Sequence, residues 1–144
     1  MVKDNPDPNK RGTWGSREAA AEWLRGAAAR AEAFGPATER MLDLANIRMG
    51  SRVLDVGAGT GANLPYLCSA SRVVAAEPDR AMRRRIAAKL ADAPFPAELT
   101  SDAAEALQQP DVSFDAVVFT QVLCTVTDPD RALAEARRVL RAGG

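Results

Sequence analysis

Val53-Leu54-Asp55-Val56-Gly57-Ala58-Gly59-Thr60-Gly61-Ala62 is the stretch that decides how this chain is read. An apolar run of strand length ends in three glycines, each two positions from the next. Glycine permits a sharp turn and lets a ligand approach the main chain closely. A short helix is expected from about Ala62 to Cys68, and its first N–H groups would point at whatever sits there. The carboxyl end of a parallel strand is where open α/β sheets bind ligands.

Outward from that stretch the pattern repeats. Arg72-Val73-Val74-Ala75-Ala76 reads as a second strand, closed by Glu77-Pro78-Asp79. A helix follows with Met82, Ile86 and Leu90 on one face, and Pro94 and Pro96 end that unit. Ala97-Glu98-Leu99-Thr100 is a weak third strand, and Phe114-Asp115-Ala116-Val117-Val118-Phe119 a strong fourth. Pro129 opens a last helix, running to about Arg141 with Leu133, Ala136, Val139 and Leu140 inward. Alternating strands and helices predict a parallel sheet with right-handed crossovers. Near-continuous apolar strands predict helices on both of its faces. Upstream, Ser16 is a candidate N-cap for a helix whose apolar stripe is Ala20, Trp23, Leu24, Ala27, Ala31 and Phe34. Gly35-Pro36 is expected to break it, with a second short helix over about Ala37–Ala45.

Composition narrows the chemistry. The 144 residues carry 19 basic and 19 acidic side chains, no histidine and a net charge of zero. Neutral balance gives no electrostatic case for nucleic acid or an anionic membrane. Without histidine there is no Ser-His-Asp triad, no histidine base and no histidine metal ligand, so no metal is expected. Two cysteines, Cys68 and Cys124, make neither a zinc cluster nor a disulfide framework, and both are expected to be small buried apolar groups. A reducing cytoplasm is the expected setting. No stretch approaches the roughly 20 apolar residues of a membrane span, and residues 1–8 do not resemble a secretory signal. The alanine and arginine bias suggests a GC-rich bacterial gene.

Two ligand classes compete for the glycine turn. Gly57, Gly59 and Ala62 satisfy G-x-G-x-x-G/A, and Glu77 lies 20 residues after Gly57, which is the dinucleotide spacing. The pattern alone leaves a nicotinamide cofactor and an oxidoreductase open. Asp55 argues against it: a carboxylate beside a pyrophosphate repels, but it suits an ammonium or sulfonium.

At this point the sequence resembles the class I S-adenosylmethionine (SAM) dependent methyltransferases. Leu54 to Gly61 looks like their motif I. Val74-Ala75-Ala76-Glu77-Pro78-Asp79 is similar to motif II, whose acidic residue binds the ribose hydroxyls. Ser101-Asp102-Ala103 resembles the segment whose aspartate contacts the adenine amino group. Phe114 to Val118 resembles the fourth strand, and Leu133 to Gly144 the helix and turn before a fifth. Members usually have proline where this chain has Ala142. Residues 14–49 are similar to the N-terminal helices of the ubiquinone/menaquinone-type branch, and the segment after the fourth strand to small-molecule and lipid methyltransferases.

The resemblance implies a Rossmann-like doubly wound parallel sheet, shortened to about four strands in the order 3-2-1-4. Residues 1–15 would be a flexible lead segment, 16–49 the N-terminal helices and 50–144 the SAM-binding core. Gly57, Ala58 and Gly59 would pack on the methionine part of SAM, and Asp55 would hold its ammonium, directly or through water. Glu77, followed by Pro78, would take both ribose hydroxyls. Asp102 would accept from the adenine amino group, with the Ala103 N–H beside the ring and Met82 lining the pocket. Thr120 and Gln121 would face the methionine end and the methyl acceptor. Simpler readings stand beside these: Glu77 as a solvated turn residue, Asp102 as a helix N-cap, Asp115 as a polar strand start, and Arg83-Arg84-Arg85 as a solvated helix face. Trp14 and Trp23 would be core or packing residues, with Trp14 alternatively a lid over the ligand.

The family's seven-stranded sheet continues past the point where this sequence stops. A fourth strand left at an edge invites pairing with a second copy, so a homodimer through that edge is expected. The acceptor would be a small or lipid-like molecule, since Thr120-Gln121-Val122-Leu123 stands where amino-group DNA methyltransferases carry an Asn-Pro-Pro-Tyr motif. A chain that holds SAM or its demethylated product without turnover is the alternative. No residue is nominated as a general base.

Overall fold

A computed structural model describes residues 17–144. The expected N-cap at Ser16, the Trp14 lid and the lead segment 1–15 lie outside the described residues. Two helices come first, α1 (Arg17–Arg25) and α2 (Ala27–Leu44). The sheet-bearing part follows as β1 (Arg52–Val56), β2 (Arg72–Ala76), α3 (Arg80–Ala91), β3 (Ala97–Thr100), β4 (Ala116–Phe119) and α4 (Pro129–Val139). All four strands are parallel, in the order β3-β2-β1-β4, as the resemblance implies.

The sheet buries both faces, and strand alternation explains which residues go where. Val53, Val73, Ala75 and Val118 pack on one face with Leu42 of α2 and Ile86 of α3. Leu54, Val56, Val74 and Ala76 pack on the other with Ala132 and Val139 of α4. Asp55 shares a face with Val53 by the same period of two, so its carboxylate enters the α3 side of the core, where it is wholly buried. Register sets the upper rim of the sheet: Val56 lies opposite Ala76 on one side and Phe119 on the other. The residues that leave the strands together are therefore Gly57, Glu77 and Thr120.

Four sequence expectations need correction. Gly35-Pro36 does not interrupt the first helical region; Pro36 lies inside α2, and the break falls at Gly26. Proline removes one helical N–H and crowds the carbonyl four residues back, here that of exposed Glu32, which solvent can satisfy. At Gly26 a Cβ would stand 2.4 Å from Arg30 Nη1. The bare glycine lets that guanidinium reach the Trp23 carbonyl and stack on the indole at 3.6 Å. The expected helix from Ala62 to Cys68 is a single 3-10 turn, Leu64–Tyr66: Pro65 has no N–H to bond the carbonyl four residues back, so an α-helical turn cannot run through Ala62. In α4 it is Ala132, not Leu133, that is buried; Leu133 is 48% exposed. Both cysteines are exposed rather than buried.

Asp115 is structural, as its simpler reading had it: it accepts from the Arg52 N–H at 2.7 Å and from Arg141 at 2.8 Å. Those donors hold its carboxyl below the usual range. Arg138 ties α4 to the turn before β4, donating to Asp111, Glu135 and the Leu107 and Gln109 carbonyls. In that turn Val112 carries φ of 51° while 58% exposed. A β-branched residue there is strained, whereas asparagine tolerates it. Val112→Asn is expected to stabilise the fold by about 1 kcal/mol, read as a rise in Tm of about 2–4 °C.

Candidate functional site

The rim residues surround a cavity of about 410 Å³. Its floor is the glycine turn. Gly57 and Gly59 take φ of 65° and 57°, and a Cβ on Gly57 would stand 2.4 Å from Val122 Cγ2. Glycine is therefore required at position 57 both for its backbone angle and to let the segment after β4 close against the turn. In place of a helix N-terminus, one main-chain donor of the turn is already engaged: the Gly59 N–H donates to Glu77 Oε2 at 2.8 Å.

Glu77 is 6% exposed and lies at the carboxyl end of β2. Its second oxygen, Oε1, accepts from the Asp79 N–H at 2.8 Å. Burial pushes its carboxyl up, against the two main-chain donors that favour the charge. Each oxygen keeps lone-pair capacity for a further donor. Asp79 caps α3 by accepting from the Ala81 and Met82 N–H groups at 2.8 and 2.9 Å. Arg83 donates to the Glu77 and Pro78 carbonyls at 2.7 and 2.6 Å, so only Arg84 and Arg85 form a solvated face. Met82, 2% exposed, gives the cavity an apolar wall.

Seven of the ten residues singled out in the sequence line this cavity: Gly57, Gly59, Glu77, Pro78, Ala103, Thr120 and Gln121. Three do not. Ala58 is buried beneath the turn. Asp102 caps no helix; its carboxylate accepts from the Gln108 N–H at 3.2 Å, within the loop after β3. Asp55 lies behind the wall, where Asn63 Nδ2 donates to Oδ1 at 2.9 Å and Oδ2 has no partner among the described residues. Desolvation, with a smaller contribution from the Glu77 charge, pushes its carboxyl up to about 7 against the Asn63 hydrogen bond.

The cavity also has walls that sequence reasoning did not assign to it. Trp23 of α1 lines it, as do Glu105, Val122, Thr125, Val126 and Thr127. Glu105 Oε1 accepts from the Thr127 and Asp128 N–H groups at 2.8 and 3.3 Å, clasping the loop after β3 to the one after β4. Nothing local in the sequence marks that clasp, because its partners lie 22 and 23 positions apart. Among the described residues no group of three metal-binding side chains occurs. No helix of these residues is long and apolar enough to cross a membrane.

A strand-to-glycine turn, a buried acid ending the next strand and a cavity above the parallel sheet together define a class I SAM-dependent methyltransferase scaffold. The comparisons agree: residues 54–144 match the methyltransferase domain family, and the chain belongs to it. It is 38% identical over 109 residues to the ubiquinone/menaquinone biosynthesis C-methyltransferase UbiE of Hahella chejuensis, covering 72% of this chain and 44% of that protein. It is 34% identical over 95 residues to the human thiol S-methyltransferase TMT1B, covering 64% and 39%. A SAM-dependent methyltransferase structure from Aquifex aeolicus superposes with a TM-score of 0.67 at 23% identity, covering 95% of this chain and 69% of that one. The chain thus spans about two fifths of the length of those two curated relatives. The dinucleotide oxidoreductase reading does not survive this family assignment.

Proposed function

We propose that this chain binds SAM in the 410 Å³ cavity and transfers its methyl group to a small-molecule or lipid-like acceptor. The observation that carries the reading is the row Glu77–Gly57–Thr120 along the rim. It sets a buried carboxylate at one end of a close-approach glycine turn and a hydroxyl at the other. A carboxylate is the right acceptor for a vicinal diol, so Glu77 is assigned the ribose. Ala103 and Met82 are assigned the adenine, and Thr120 and Gln121 the amino-acid end and the acceptor. The fit is chemical as well as spatial: the cavity is within the size range of small-molecule sites, and its wall joins apolar Met82, Val122 and Val126 to a few fixed polar groups.

Methyl transfer from a sulfonium is an in-line displacement. A lone pair on the acceptor forms the bond to the methyl carbon while the S–C pair returns to sulfur, which leaves as a neutral thioether. The acceptor's proton, where it has one, passes to water. The protein's share is proximity and alignment. The wall carboxylates Glu77, Asp79 and Glu105 are each engaged by main-chain N–H groups, which suits holding rather than proton abstraction. An acceptor that brings its own nucleophilic lone pair, such as a thiolate or an amine, fits this wall best; the similarity to a thiol S-methyltransferase points the same way.

Isothermal titration with SAM and, separately, with NAD tests the donor site. Micromolar or tighter binding of SAM and none of NAD is expected; the reverse would remove the reading. Turnover across a panel of thiol, amine and quinol acceptors then separates transfer from mere holding. The cytoplasm and a homodimer belong to the same proposal. The outer edge of β4 has no partner strand among the described residues, and its Val117 and Phe119 are half-buried apolar side chains. Such an edge favours pairing. Gel filtration with light scattering should give a dimer, and a monodisperse monomer would remove that part.

A further inference from the structure

Behind the cavity wall runs a buried polar chain that the reading above leaves unused. Asn63, 4% exposed, follows the glycine turn. Its Nδ2 donates one proton to Asp55 Oδ1 at 2.9 Å and the other to Thr120 Oγ1 at 3.1 Å. Thr120 is the first residue past β4 and lines the cavity. A hydroxyl has one proton and two lone pairs. One lone pair of Thr120 is taken by Asn63, while its own proton has no acceptor among the described residues. An ionised Asp55 tolerates only a donor in front of it, so it keeps the nitrogen of the Asn63 amide, rather than the oxygen, in place. Were the amide reversed, Thr120 could turn its proton inward to the amide oxygen.

This chain is not a self-satisfied packing device. Asp55 Oδ2 and Asn63 Oδ1 are both buried and unpartnered among the described residues. Burying polar atoms that way is unfavourable and calls for a reason other than packing. Orienting a wall hydroxyl supplies one.

We propose that Asn63 is a positioning residue: anchored by Asp55, it fixes Thr120 as a hydrogen-bond donor into the cavity. This end of the site thereby presents a fixed donor to an acceptor group, the carboxylate of an amino-acid moiety. The inference rests on the SAM reading and deepens it, since SAM carries such a carboxylate and its decarboxylated form does not.

The experiment has two arms. In the first, the full chain is titrated with SAM and with decarboxylated SAM, as wild type, Thr120→Val, Thr120→Ser, Asn63→Ala and the Asn63→Ala/Thr120→Val double variant. Wild type should prefer SAM by tenfold or more. Thr120→Val and Asn63→Ala should each lose most of that preference, Thr120→Ser should keep it, and the double variant should be no worse than Thr120→Val. Full discrimination by Thr120→Val, or additive losses in the double variant, would overturn the proposal. The second arm needs no ligand and no Asn63 variant: the Asn63 side-chain amide is followed by ¹⁵N NMR. Thr120→Val should move one of its two proton resonances and leave the other, and no movement would overturn the geometry. A wild type that binds neither compound removes the SAM reading and the carboxylate assignment with it. The resonances would still decide whether Asn63 holds Thr120.

Discussion

Asp55→Asn should make the protein more stable at pH 8 and a poorer binder of SAM. The carboxyl is wholly buried and is pushed up to about 7 from 3.8. Between about pH 4 and pH 7 the folded chain therefore holds a proton that the unfolded chain has released. Stability falls as pH rises through that window and levels off above it. Integrated over the window, the penalty is about 4 kcal/mol. An amide escapes it, because it carries no charge to desolvate. It also brings a donor to a place where Asp55 Oδ2 and Asn63 Oδ1 are both orphaned acceptors. We expect a gain of roughly 2–4 kcal/mol at pH 8, shrinking to near zero by pH 4. Urea denaturation at a series of pH values measures it. Parallel curves for the two proteins at every pH would show that Asp55 does not titrate in this window. Glu77, pushed up for the same reason, adds a slope of the same sign that both proteins share. The loss of SAM binding is expected because an amide at position 55 can turn either end toward Asn63, which loosens the hold of Asn63 on the cavity residue Thr120.

Glu77→Ala is the second large effect, and it should act twice. The side chain accepts from the Gly59 and Asp79 N–H groups, so it staples the glycine turn to the start of α3. Its removal should weaken SAM by about 1–3 kcal/mol, or roughly five- to 150-fold, through lost charge-assisted hydrogen bonds. It should also lower stability, since two main-chain donors lose a buried acceptor. Glu77→Gln should be a milder form of the same lesion. Its single oxygen can serve only one of those donors, and its amide would face the other, so it should not restore full affinity. Unchanged SAM affinity in both variants would refute the ribose assignment.

The sheet was legible because its signal is local. β1, β2 and β3 run where the apolar runs and their closing turns place them, and β4 is shortened only where Phe114 bridges to Leu140 instead. The glycine turn and Glu77 were legible for a related reason: residues that leave adjacent strands at one level must meet at one rim. What escaped the sequence reading depended on side-chain contacts that no periodicity or motif announces. Gly26 rather than Gly35 breaks the helical region because Arg30 folds back on Trp23, a choice made by packing and not by propensity. Asp55, expected to hold the ammonium directly or through water, is turned by a period of two into the core beside Asn63, whose own role no spacing rule announces. Asp102 was placed by resemblance, and its loop bends the carboxylate toward Gln108. Glu105 and Trp23 reach the cavity from elements that no single motif joins.

The rim row has a consequence for how such a chain can change length. Gly57, Glu77 and Thr120 meet only because Val56, Ala76 and Phe119 share one register. Adding or deleting one residue within any of these strands would turn its side chains to the opposite face and carry its rim residue away from the other two. The connections that return to the far end of the sheet are under no such constraint, since a loop's length alters closure entropy only slowly. The site is thus indexed from one end of the sheet: insertions should be tolerated in the returning segments at the opposite end and excluded from the five residues before Gly57.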